Sequence, residues 1–151
     1  MRSALLLRLA ASLALLACLG HTFLFLTYTP KHGPEEVSVV TAMKSHRFSF
    51  SGFQHSYWEL YTGYGLFVSI SCLMEALILW QLARVPVAKP LVGIFALGET
   101  AYAVLMLKFF FLIPIVAHIA IATCLGLALL LGTKSQSTAH LPQARSVSNS
   151  F

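Results

Sequence analysis

The chain has 151 residues, of which 58% are hydrophobic and only 10% charged, with a mean hydropathy of +0.79. Soluble domains carry roughly 25% charged residues, so this composition excludes a globule coated for water and places the chain in a lipid bilayer. The net charge of +5 comes from Lys and Arg scattered over loops and ends with no basic stripe, so membrane topology accounts for it and nucleic acid is not an expected partner.

The first apolar run, residues 4–27, is interrupted only by Arg8 near its start and by Gly20-His21-Thr22 near its end. The segment 15–18, LLAC, loosely resembles a lipoprotein cleavage site. A signal peptide has an apolar core of about 7 to 15 residues, however, and here hydrophobicity continues past Cys18 through Phe23-Leu24-Phe25-Leu26. We therefore read it as an uncleaved span.

Residues 29–56 form the longest polar segment, and Pro30, Gly33 and Pro34 stop the first helix from continuing into it. Glu35 and Glu36 then precede Val37, Val40 and Met43 at helical spacing, with Lys44, His46 and Arg47 at the end. Acid first and base last suits the dipole of a short amphipathic helix. With Phe48, Phe50 and Phe53 following, the segment is expected on the membrane surface or capping the bundle.

A second span covers residues 57–83, and Arg84, Pro86, Lys89 and Pro90 make the next turn. The apolar stretch from Leu91 to Leu131 is too long for one crossing at about 1.5 Å per residue. Lys108, Phe109-Phe110-Phe111 and Pro114 break it into spans at about 91–107 and 110–132. Pro114 also frees the Phe110 carbonyl and can kink the fourth span, although a proline near the start of a span needs no functional reason. The tail 133–151 has few large apolar residues and is expected to be disordered. The resulting fold class is all-α: an integral membrane bundle of four transmembrane helices with a short amphipathic helix in the first loop. Four spans put Arg2, Arg8, Arg84, Lys89, Lys134 and Arg145 on one side and Lys31, Lys44, Arg47 and Lys108 on the other. That distribution predicts a multi-pass protein of the cell membrane with both termini cytoplasmic.

Ionisable groups inside a bilayer are costly and invite a functional reading. The chain offers His21, Glu75, Glu99 and His118. Counted at about 1.5 Å per residue, His21, Glu99 and His118 lie roughly 9 to 12 Å below the outer boundary on three spans, whereas Glu75 is deeper and expected to make a separate contact. A carboxylate near two imidazoles can hold a proton, accept a ligand hydroxyl or contribute to a metal site. The plainer alternative is that these groups hydrogen-bond one another and fix helix register. Metal or haem ligation has no specific spacing behind it, so no metal and no cofactor is expected. Cys18, Cys72 and Cys124 sit in three different apolar runs and read as packing residues. Soluble-enzyme motifs are absent, which leaves open whether the chain is an enzyme.

On the second span Tyr57, Tyr61, Tyr64, Val68, Ser71, Glu75, Ile78 and Leu82 share one seam. Beside it, Trp58, Thr62, Gly65, Ser69, Cys72 and Ala76 form a mostly small stripe of the kind that lets membrane helices approach closely. Tyr57 and Trp58 suit the aromatic belt; Tyr61 and Tyr64 lie deeper, where a phenol needs a partner. Together with His21, Glu99 and His118 they make up a candidate polar pocket in the outer half.

Gly20-His21-Thr22 late in the first span, followed by Ser56-Tyr57-Trp58 with Tyr61, Gly63 and Gly65 heading the second, resembles a family of small bacterial four-span membrane proteins. The likeness covers the first two spans and their loop, and the last two match only in hydrophobic character. It implies the architecture and no particular reaction, and it pairs His21 with the tyrosine-rich head of the second span. Two functions fit these residues. One is a structural or accessory protein whose partners are the lipid bilayer and a second copy or a membrane partner subunit. The other is a small intramembrane enzyme or carrier for an apolar ligand, with the outer-half His, Glu and Tyr residues lining its pocket.

Overall fold

Why each helix starts where it does is written in its first residues. The computed structural model describes residues 2–85 and 89–137. Helix α1 is Arg2–Leu26, α2 is Pro34–Ser45, strand β1 is Arg47–Phe50, β2 is Phe53–Ser56, α3 is Tyr57–Leu82, α4 is Lys89–Phe109 and α5 is Leu112–Ser137. Four of these helices, α1, α3, α4 and α5 as far as Gly132, are long and apolar enough to cross a membrane. Helices satisfy their own backbone groups, which is what hydrocarbon demands of a spanning segment. The protein is an all-α integral membrane bundle.

Pro34 opens α2 instead of merely ending what came before: it takes the first turn, where its missing N–H costs no hydrogen bond. Glu35 and Glu36 occupy that first turn and Lys44 the last, as the dipole favours. Two short strands depart from the all-helical expectation. Arg47–Phe50 and Phe53–Ser56 pair antiparallel, with Phe48 opposite His55 and Phe50 opposite Phe53. Ser51 and Gly52 turn the hairpin with φ of 53° and 86°. Positive φ at both positions is what a tight two-residue hairpin requires. The last strand residue, Ser56, is also the N-cap of α3: its hydroxyl accepts from Glu59 N at 3.1 Å, and Glu59 Oε2 accepts from Ser56 N at 2.8 Å. This reciprocal box passes the chain from sheet to membrane helix without a linker.

Helix α5 begins at Leu112, so Pro114 falls within its first turn and interrupts no interior hydrogen bond. The helix continues to Ser137, into the expected tail; residues 138–151 of that tail, like Pro86 in the second turn, lie outside the described residues.

Within the bundle α1 packs between α3 and α5, and α4 packs on α5. Leu7, Ala10, Ala11 and Ala14 of α1 share one buried cluster with Ala76, Leu79 and Leu82 of α3, Val92 of α4, and Ile121, Leu125 and Ala128 of α5. The start of α1 and of α4 thus meets the end of α3 and of α5, which fixes an up-down arrangement. We call this end the terminal side and the opposite end, which carries α2 and the hairpin, the hairpin side. The buried cluster lies in the terminal half, and many of its members are alanines that let backbones approach. Toward the hairpin side, residues such as Phe23, Leu24, Phe67, Leu107 and Ile113 stand exposed on the bundle surface, where lipid would cover them.

Candidate functional site

Two separate polar groups occupy the membrane-spanning part, and each sits at a helix pair. The first belongs to α1 and α3. Gly65 has no side chain, and the Phe25 ring lies directly against its α-carbon. A backbone carbonyl only accepts, so the 3.2 Å contact of His21 Nε2 with Gly65 O makes Nε2 the donor and fixes the tautomer. Thr22 donates its hydroxyl to Ser69 Oγ at 2.9 Å, and Ser69 in turn donates to Gly65 O at 3.2 Å. Cys18 Sγ reaches Ser69 O at 3.4 Å. Gly65 and Ser69 are therefore where α1 and α3 touch; Ala76 of the same stripe is buried in the apolar cluster, and Cys72 is half-buried between them.

Above this seam, rings take over. Phe25 stacks on His21 at 5.7 Å and meets Tyr61 at 5.3 Å; Tyr61 meets Trp58, and Trp58 meets Tyr28. Lys44 Nζ lies 4.6 Å from the Trp58 ring centroid, so α2 is held down over the head of α3 by a cation–π contact. Just beyond α1 the Glu36 carboxylate gathers the loop. It accepts from Tyr28 Oη at 2.6 Å and from the backbone N–H groups of Lys31 and His32 at 2.6 and 2.7 Å, with His32 Nδ1 at 3.1 Å. The Tyr28 hydroxyl, followed by the His32 backbone N–H, holds the Glu36 carboxyl down at about 2, and the same bond raises the Tyr28 phenol above its ordinary value.

The second polar group spans α4 and α5. His118 Nδ1 lies 2.9 Å from Glu99 Oε2, and the Tyr102 ring covers the imidazole at 5.4 Å. Glu99 is 1% exposed and the His118 side chain 15%. The second carboxylate oxygen, Oε1, is buried with no hydrogen-bond donor among the described residues. A buried acceptor in that state is costly.

The five residues of the expected outer-half pocket are thus not one cluster. His21 and Tyr61 belong to the α1 and α3 seam, and Glu99 and His118 to the α4 and α5 pair. No hydrogen bond, ion pair or ring contact among the described residues joins the two groups. Tyr64 is 74% exposed and lines a shallow open groove with His55, Glu59, Leu60, Gly63 and Phe67. Because α1 lies between α3 and α5, the hairpin-side half of α3 meets α1 and is kept from α5.

Glu75 requires the opposite correction: instead of a separate contact, its carboxyl lies close to that of Glu99 and interacts with it. Helix α4 runs on to Phe109, ten residues past Glu99. That puts Glu99 about 15 Å below the hairpin-side end, mid-span, within reach of a long side chain from α3. Two carboxylates are both acceptors, so this contact becomes a hydrogen bond only when one of them carries a proton. No group of three His, Cys, Asp or Glu among the described residues is placed to hold a metal ion. Comparison with protein families, curated proteins and solved structures gives no match, so the bundle and its polar contacts carry the functional reading.

Proposed function

We propose that this protein is a structural or accessory component of a cell-membrane assembly, built like the small bacterial four-span proteins it resembles. In this reading both termini are cytoplasmic, supported by Arg2, Arg8, Arg84 and Lys89 on the terminal side against Lys31, Lys44, Arg47 and Lys108 on the other. The observation that carries the role is how its intramembrane polar side chains are employed. His21, Thr22, Cys18 and Ser69 join α1 to α3, and His118 joins α5 to α4. Polar contacts of this kind hold helices together in a medium where apolar burial gives no drive for association. The alternative, an intramembrane enzyme or carrier, needs an enclosed cavity beside its acid and imidazole. Two cavities among the described residues are open grooves, one at Leu77, Ile78, Gln81, Leu82 and Val85 and one at His55, Glu59, Leu60, Gly63, Tyr64 and Phe67. Neither includes Glu99 or His118.

The test is the native mass of the full chain extracted with its lipid and the fate of three variants. An assembly heavier than the 16.5 kDa chain supports the reading, as does loss of both folded yield and assembly in His21→Ala, Glu99→Ala and His118→Ala. A lone monomer, or a variant that stays folded and assembled while losing a measured turnover, overturns it.

A further inference from the structure

Glu75 on α3, Glu99 on α4 and His118 on α5 form a line of three titratable groups drawn from three helices. Glu75 lies seven residues from the terminal-side end of α3 and His118 six from the hairpin-side end of α5. Each is therefore about 10 Å from its own end, with Glu99 between them near the middle of the span. Helix packing explains the bond from Glu99 Oε2 to His118. It does not explain why Oε1 of the same carboxylate is buried without a donor, or why a second carboxyl is brought against it. A proton resolves both features at once, because it turns two facing acceptors into a donor and an acceptor.

We propose that Glu75, Glu99 and His118 form a proton-binding and proton-exchange site, in which one proton is held between the two carboxyls and handed on to the imidazole. The steps balance without any further reactant. The O–H bond of the Glu75 carboxyl breaks as a Glu99 carboxylate oxygen gains the proton, leaving Glu75 as carboxylate. In the His118 tautomer that carries its hydrogen on Nε2, the O–H bond of Glu99 then breaks at Oε2 as the free Nδ1 lone pair takes the proton, giving imidazolium against a restored carboxylate. The Nδ1 to Oε2 distance of 2.9 Å suits a transfer in either direction. The groups facing Glu99 on each packed element are consistent with a site for a proton and not for a larger cation. On α5 there is His118; on α3 there are Glu75 and, in electrostatic reach of both carboxyls, Cys72. Of the titratable groups of α1, Cys18 and His21 are bonded to Ser69 and Gly65, and Arg8 is exposed.

The chain is well suited to a direct test, since its five acidic side chains are all glutamates, Glu35, Glu36, Glu59, Glu75 and Glu99. Infrared spectroscopy of the full-length protein in lipid nanodiscs reads a protonated carboxyl through its C=O stretch and its shift in heavy water. Selective ¹⁵N labelling of histidine reads the state of His118. The expected result is a protonated-carboxyl band at neutral pH, lost in Glu75→Gln, whose amide keeps a donor toward Glu99. In the wild type, the His118 nitrogen shifts should change at the same pH as that band. A wild-type protein without the band, a band that survives in both Glu75→Gln and Glu99→Gln, or a His118 that titrates independently of it would overturn the proposal. Because the first and third outcomes use the unmodified chain, a variant that fails to fold does not protect the idea.

Discussion

Replacing His118 with Leu removes the hydrogen-bond partner that the described structure gives Glu99 while keeping an apolar side chain of similar size on α5. The carboxyl is then left 1% exposed with neither oxygen bonded to a histidine. A hydrogen bond to a charged group contributes about 1.5 to 3 kcal/mol, and breaking a buried ion pair by deleting one partner costs about 3 to 5. Two effects pull this case to the lower range. An unpartnered buried carboxylate escapes by taking up a proton, and polar groups of an unfolded chain inside a bilayer find other partners, which holds average side-chain bonds there to about 0.6 kcal/mol. Glu99 is too well buried for the average to apply, so we expect His118→Leu to cost about 1.5 to 3 kcal/mol, or roughly ten- to a hundredfold in the unfolding constant. The assay is reversible unfolding in lipid–detergent micelles, followed by the fluorescence of Trp58 and Trp80. The same substitution made in a Glu99→Leu background isolates the pair. A loss below about 0.5 kcal/mol, or additivity of the two changes within that margin, would show that the 2.9 Å contact does not hold α4 to α5.

At Gly65 any added β-carbon runs into the Phe25 ring, so Gly65→Leu should destabilise by about 1 to 3 kcal/mol in the same assay, and Phe25→Ala in the same chain should recover part of it. If Gly65→Leu is neutral, the ring is not wedged between the two helices. For Glu36 the sign follows from a carboxyl held at about 2, below its ordinary value: its contribution is complete above the unfolded value of 4.5 and fades as pH falls toward 2. The protection of the Lys31 and His32 amides relative to their intrinsic exchange should therefore fall over that window, and Glu36→Gln should abolish that change; unchanged protection down to pH 2 would exclude the bond network. Ser51 holds φ of 53°, which costs a non-glycine residue roughly 1 to 2 kcal/mol, so Ser51→Gly should slow exchange in the hairpin. Faster exchange there would mean that the turn is not under strain.

The membrane bundle could be read from hydropathy because each span obeys a rule of length and composition that any window detects. The hairpin is equally legible in the sequence. Phe48 and Phe50 alternate with serines up to a Ser51-Gly52 pair, a signal for a two-residue turn that competes with the reading of these phenylalanines as membrane-surface contacts. Ser56 three residues before Glu59 is likewise a capping box in plain sequence. The polar contacts were harder to read, for a physical reason. Depth along a helix can be counted, and it sets Glu99 close to the level of His118, although α4 runs on to Phe109 and leaves Glu99 deeper than the count from Lys108 implies. Azimuth cannot be counted: which neighbour a residue faces depends on the order of helices around the bundle. With α1 between α3 and α5, Tyr61 turns to Phe25, Tyr64 turns outward, and Glu75 meets Glu99 across an edge that sequence spacing could not show.

That edge also explains why the carboxyl pair sits where it does. Helices α3 and α4 pack on each other along little of their length, and Leu79 and Leu82 of α3 and Val92 of α4 are members of the one terminal-side cluster. Elsewhere around the bundle small residues let backbones approach: Gly65 under Phe25 at one contact, and Ala10, Ala11, Ala14 and Ala128 at another. Between α3 and α4 no such close approach continues toward the hairpin side, and lipid tails would match leucines there as well as a neighbouring helix does. Glu75 and Glu99 are long enough to bridge a wider gap, and their attraction depends on a proton being present. Protonation therefore acts on the least packed side of the bundle, where one hydrogen bond makes up a larger share of the contact than it would at α1 and α3. An exchangeable proton at that position is at once a ligand and a fastener between two helices, and a partner that seats against α3 and α4 would feel its loss.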